Sequence, residues 1–191
     1  IRRMLRMEHH SNQVPFPNNI FLESDKKMAA CILEVSVESG VGSENLRTSV
    51  NNLLRKFGVL ILNRLHEYGE VSVFVCEENT MSELNWRFRG KNIVTDVLSF
   101  SQNDSVLRPV VANKILGDVV IAYEKAKLQA DQHNESIDYE LCRLLLHGIL
   151  HLLGYEHKDP PREEEYMIDL QEDLLKELIV SLDFLEELKG N

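Results

Sequence analysis

The chain has 191 residues, of which 43% are hydrophobic and 27% charged; this suits one soluble domain and excludes disordered, collagenous and membrane-embedded classes. Its 21 Lys+Arg stand against 31 Asp+Glu, a formal net charge of -10, which argues against a polyanionic partner spread over the whole surface, because nucleic-acid affinity rests on cations that neutralise phosphates. A cleft escapes that argument, since it feels mainly the charges within about 8–10 Å at physiological salt.

Residues 1–28 are polar and broken by Pro15 and Pro17, and they read as a loosely ordered N-terminal extension in which the pair His9 and His10 is incidental. Residues 29–191 read as a single domain. No apolar run has the length of a secretory signal or of a membrane span. Cys31, Cys76 and Cys142 lie far apart without a C-x-x-C pair, so a reducing compartment, the cytoplasm, is expected.

Alternating apolar residues predict a strand over Cys31 to Val37. Ser43 is placed to cap a long helix running to about Tyr68, with Leu46, Val50, Leu53, Leu54, Phe57, Ile61 and Leu65 as its buried stripe and Gly69 as its stop. Val71 to Cys76 is a second strand. Thr80 and Glu83 form a capping-box pattern opening a short helix to Arg87 or Phe88, broken by Gly90. Two more strands follow, Asp96 to Ser101 and Ile115 to Tyr123, with a surface loop from Gln102 to Asn113 between them. The rest is helical: Tyr123 to Gln132, Ser136 or Ile137 to Leu153, and Arg162 to about Leu188. On the last helix Tyr166, Leu170, Leu174, Leu178, Leu182 and Leu185 recur at three- and four-residue steps, a core-facing seam. This order predicts an α+β (mixed α/β) fold: a small mixed four-stranded sheet covered by helices.

The chemistry concentrates in His147-Gly-Ile-Leu-His151-Leu-Leu-Gly154-Tyr155-Glu156-His157. Helix positions i and i+4 share a face, so His147 and His151 can share one metal ion. Gly154 can end the helix with a positive φ and let the chain turn back to deliver His157. Three imidazoles are the ligand set of a catalytic zinc that keeps a fourth position for water. The helix is apolar on most of its circumference, so unpaired imidazoles there would be costly and metal ligation removes that cost. The spacing matches the three histidines and the glycine of the metzincin zinc peptidases, H-E-x-x-H-x-x-G-x-x-H. Position 148 is glycine, however, and the glutamate that acts there as general base is missing.

Several other residues keep two readings. Arg89, beside Arg87 and Lys91, can offer a guanidinium fork to charge developing on a phosphate or can be solvated. Glu140, two turns before His147, can orient a ligand or cap the solvated end of its helix. Asp96 and Asp118 can serve as bases or as turn formers. Trp86 reads as partly buried core, with a stacking face for an unpaired base as its other use. Cys142 reads as packing.

HGILHLLGYEH, together with LNWRFRGKNIVTDVLSF (Leu84 to Phe100) and LGDVVIA (Leu116 to Ala122), resembles the YbeY family of bacterial and organellar rRNA-maturation endoribonucleases, from about Leu33 to about Leu175. The resemblance implies a zinc-dependent endoribonuclease acting on single-stranded rRNA in 3′-end maturation of the small-subunit (16S) rRNA and in ribosome quality control. It implies one Zn2+ per chain held by His147, His151 and His157, and a basic active-site residue at Arg89. Glu156 stands where the family usually has Asp, and the first thirty or so residues have no clear counterpart. Two other functions stay open: a zinc hydrolase of a peptide or small amide, disfavoured by Gly148, and a ribosome-assembly binding factor with a structural zinc. The charge also divides unevenly. Glu156 to Asn191 holds 12 acidic and 4 basic residues, whereas Trp86 to Lys127 holds 4 acidic and 7 basic. RNA binding is therefore expected to be local and weak, with the small ribosomal subunit or an assembly protein as a partner that delivers the RNA.

Overall fold

A computed structural model describes residues 31–102, 114–155 and 161–187, with side chains in the last helix described from Met167 to Leu182. Strand β1 (Cys31–Val37) leads into helix α1 (Glu44–Arg64), strand β2 (Gly69–Cys76) into α2 (Glu78–Arg89), and β3 (Val97–Ser101) is followed by β4 (Ile115–Ala122). Helices α3 (Tyr123–His133), α4 (Ile137–Leu152) and α5 (Pro161–Glu187) complete the order. The sheet order is β1-β2-β4-β3, with β1, β2 and β4 parallel and β3 antiparallel to β4. This is the mixed four-stranded α+β sheet that the sequence predicts. The extension over residues 1–28 and the loop from 103 to 113 lie outside the described residues.

Strand alternation divides the molecule into two apolar layers. Leu33, Val35, Val71, Val73, Val75, Val119 and Ile121 face α1 and α4, and α5 packs on those two helices to complete the larger core. On the other face Leu98, Val120 and Cys76 pack with Met81 of α2. Helix α4 is buried along nearly its whole length, from Glu140 to Leu152, so it is the central helix. The α5 seam buries Leu174, Leu178 and Leu182 as the spacing predicts.

Ser43 caps α1 as expected, its hydroxyl accepting from the Leu46 N–H at 3.3 Å. Two helix boundaries differ from expectation. Helix α1 stops at Arg64, because His66 takes the left-handed conformation (φ 53); Gly69 instead opens β2, pressed so close to the Lys114 carbonyl that a Cβ would lie 2.4 Å from it. Helix α2 begins before the Thr80/Glu83 pattern, and no capping box forms. Glu38, the residue after β1, accepts from the Glu77 N–H and from the Thr80 hydroxyl, both at 2.8 Å. A carboxylate from the turn after β1 thus occupies the positive end of α2.

Candidate active site

Helix α4 sets the geometry. Ser136 caps it, accepting from the Tyr139 N–H at 3.1 Å. At its other end the Gly154 N–H bonds the His151 carbonyl and the Tyr155 N–H bonds the Leu150 carbonyl, both at 3.0 Å, with Gly154 at φ 89. That is the Schellman arrangement, which needs the left-handed glycine foreseen at this position.

His147 and His151 project from one face of α4. Their rings meet edge to face with centroids 4.6 Å apart, and their Nε2 atoms are 3.0 Å apart. Two nitrogens at that distance need a proton or a cation between them. The other nitrogen of His147, Nδ1, lies 2.8 Å from Oε1 of Gln171, a buried residue of α5. An amide oxygen only accepts, so Nδ1 carries the proton and Nε2 presents its lone pair. Two ligands each about 2.0–2.1 Å from a tetrahedral zinc lie about 3.3 Å apart, close to the observed spacing, so the donor pair fits such an ion. His157, the third histidine of the motif, lies outside the described residues, as does Glu156.

The imidazoles open into a cleft of about 520 Å³ that also contains Arg89, Lys91, Ser99 and Ser101. Arg89 is the last residue of α2, and its Nη2 reaches the Ser99 carbonyl at 3.4 Å. Asn85 donates to the Ile93 carbonyl at 2.8 Å, tying the segment that carries Lys91 to the same helix. Helix α2 and helix α4 therefore bring Arg89 and the two histidines into one cleft. Among the described residues, no carboxylate lines this cleft.

Other candidates fall elsewhere. Glu140 neither orients a histidine nor caps a solvated end: it is buried (1% exposed) and takes both Nε and Nη2 of Arg143, one helical turn on. That hydrogen bonding, reduced by burial, raises the Arg143 pKa further. Asp96 is a turn former. Its Oδ1 accepts from the Val97 N–H at 2.9 Å and from Thr95, and its Oδ2 accepts from Gln129 at 2.9 Å. Burial alone would raise its pKa, but these hydrogen bonds outweigh it and hold the carboxyl below its ordinary value. Asp118 lines a separate cavity of about 810 Å³ with Phe74, Phe88 and Phe100, where neither imidazole reaches. Trp86 is not core; it is 61% exposed. Cys142 is fully buried packing, as expected.

Gly148 accounts for the missing glutamate. A Cβ here would lie 2.6 Å from a Val119 methyl, so position 148 faces β4 across a helix–sheet contact that admits no side chain. A base at this position would be directed at the sheet. Gln171 is the functional candidate that sequence reasoning missed.

Comparison with known proteins agrees with this architecture. The family model described as Endoribonuclease YbeY matches residues 34–179. Endoribonuclease YbeY of Borreliella burgdorferi (strain ZS7) is 41% identical, over 70% of this chain and 90% of that protein. Its counterpart in Persephonella marina is 40% identical over 57% and 70%. The solution structure of TM1509 from Thermotoga maritima shares the fold, with a TM-score of 0.56 and 24% identity over 80% of this chain and 92% of that one. With three-quarters of its length matched by the family model, the chain belongs to the YbeY endoribonuclease family.

Proposed function

We propose that the protein is a zinc-dependent endoribonuclease that cuts single-stranded RNA, acting on rRNA in 3′-end maturation of the small-subunit RNA and in ribosome quality control. The observation that carries this reading is the cleft itself, where Arg89 and Lys91 stand in the same 520 Å³ space as the paired imidazoles. His147, His151 and His157 would hold the metal, one ion per chain. Bound there, zinc supplies a Lewis acid and lowers the pKa of a coordinated water to about 7.

The chain's own groups do the rest. Phosphodiester cleavage builds negative charge on the non-bridging oxygens, and the Arg89 guanidinium offers them two charge-assisted hydrogen bonds. Lys91 adds a mobile ammonium to the phosphate path. Gln171 fixes the His147 tautomer and ring. Membership of a family named for endoribonucleases supports RNA as the substrate, and Gly148, packed on β4, disfavours the peptidase alternative. Among the described residues no helix is long and apolar enough to cross a membrane. The proposed setting is the cytoplasm, with the small ribosomal subunit or an assembly protein as partner.

Purified protein, with its zinc content measured, is tested on single-stranded rRNA fragments and on duplexes of the same sequence. Cleavage confined to the single strands, and lost in His147→Ala and in Arg89→Ala, is expected. Intact single strands with stoichiometric zinc would overturn the reading, as would undiminished cleavage by His147→Ala. Product termini identify the nucleophile: a 2′,3′-cyclic phosphate marks attack by the substrate's 2′-hydroxyl, and a 5′-phosphate marks water.

A further inference from the structure

Helix α2 buries only Met81 and Asn85, which leaves Trp86 on its outer side. There the indole borders a second concavity, about 390 Å³, whose other walls are all polar: Asn79, Ser82, Glu83 and Asn92. The volume lies within the range of small-molecule sites, about 300–1,000 Å³. The Ser82 hydroxyl donates to Asn92 Oδ1 at 3.1 Å, fixing that carboxamide and leaving its NH2 to donate elsewhere. Glu83 supplies acceptors.

The concavity and the cleft share one boundary. Asn92 lines the first, while its neighbours Lys91 and Ile93 line the second. Trp86 and Arg89 are three residues apart on α2, about 4.5 Å along its axis, against about 3.4 Å per nucleotide of a stacked strand. A large aromatic face left in water, ringed by donors and acceptors one helical turn from a phosphate-binding guanidinium, matches the chemistry of a nucleobase: a π-face to stack and a polar edge to pair.

We propose that Trp86, with Glu83 and Asn92, binds one unpaired base of the RNA adjacent to the phosphate held by Arg89. The inference rests on the RNA-cleaving function proposed above and assigns a positioning role that the cleft residues do not supply. Every base has a π-face, so Trp86 contributes affinity for single strands over duplexes, while Glu83 and Asn92 read the edge.

The chain contains a single tryptophan, which makes its fluorescence a reporter of this site. The full chain is titrated with a short single-stranded 2′-O-methyl oligoribonucleotide, and binding is followed in parallel by anisotropy of a dye on the oligonucleotide. Saturable quenching is expected, and an abasic nucleotide at one position of the oligonucleotide should abolish it. Trp86→Ala should weaken binding about fivefold or more and raise KM with kcat unchanged, and Trp86→Phe should restore both. Because the side chain is exposed, circular dichroism should show both variants folded. Binding by anisotropy without quenching, or full affinity in Trp86→Ala, overturns the base site even if the protein cleaves RNA, and leaves this face to a protein partner. Quenching without cleavage overturns the endoribonuclease reading alone. Neither binding nor cleavage overturns both.

Discussion

The amide of Gln171 decides which nitrogen of His147 faces the cleft, and it acts from a helix 24 residues further along the chain. Groups that orient a metal ligand typically influence metal affinity 10–100-fold. Gln171→Leu, similar in volume, should therefore weaken zinc binding by about that range in a chelator competition, while Gln171→Glu, which keeps an acceptor oxygen, should retain it. Equal zinc affinity in Gln171→Leu would show that the tautomer is held some other way. Nothing in the sequence marks this residue: it sits between Leu170 and Leu174 of an apolar stripe, and only tertiary packing brings it to α4. The sequence leaves the role of Asp96 open for a related reason, since its donors Thr95 and Val97 are local but Gln129 is not. Its depressed pKa means that its contribution is fully present above the unfolded carboxyl value, about 3.9, and is lost as pH falls through the lower folded value. Asp96→Ala should cost about 1–3 kcal/mol at neutral pH, and in urea titrations the gap from wild type should narrow as pH falls below about 4.

At the scale of elements, the histidine helix was legible because its signals are local. The i, i+4 spacing, the Ser136 cap and the left-handed Gly154 all act within one or two turns. The close approach of Gly148 to Val119 was not legible, because a glycine chosen for helix–sheet contact looks the same in sequence as one chosen for conformation. Gly148→Ala would gain up to about 1 kcal/mol of helix preference but overpack against a branched side chain, at a cost of about 1–3 kcal/mol. A net loss in stability is expected, read as a lower denaturant midpoint; a more stable variant would mean that β4 yields freely. The same helix carries the buried Glu140 with Arg143. Arg143→Met should lower stability by about 3–5 kcal/mol, by stranding a buried carboxylate. Adding Glu140→Gln should recover part of that loss in a double-mutant cycle, and a strictly additive double variant would deny the coupling. The start of α2 shows the opposite failure of local reading: the Thr80/Glu83 pattern is present, but the Thr80 hydroxyl is taken by Glu38 from the turn after β1.

Across the whole molecule the net charge of -10 and an RNA substrate are reconciled by position. Exposed Asp169, Asp173 and Glu177 lie on α5, whose inner side is buried against α4 and α1, whereas the described lining of the cleft carries Arg89 and Lys91 and no carboxylate. The sequence shows this asymmetry as a basic central segment and an acidic C-terminal one; among the described residues, the cations of the cleft come from the first and the exposed carboxylates of α5 from the second. Such a surface binds RNA through few phosphates. For single strands, the slope of log K against log salt is about -0.7 per neutralised phosphate, so two cations predict about -1.4, made somewhat steeper by a bound zinc. Arg89→Ala should reduce the magnitude of the slope by about 0.7 as well as slow cleavage. Trp86→Ala should weaken binding at every salt concentration and leave the slope unchanged, because stacking releases no counterions. A wild-type slope steeper than about -3 would require a cationic surface wider than the cleft, and would return the charge objection in full.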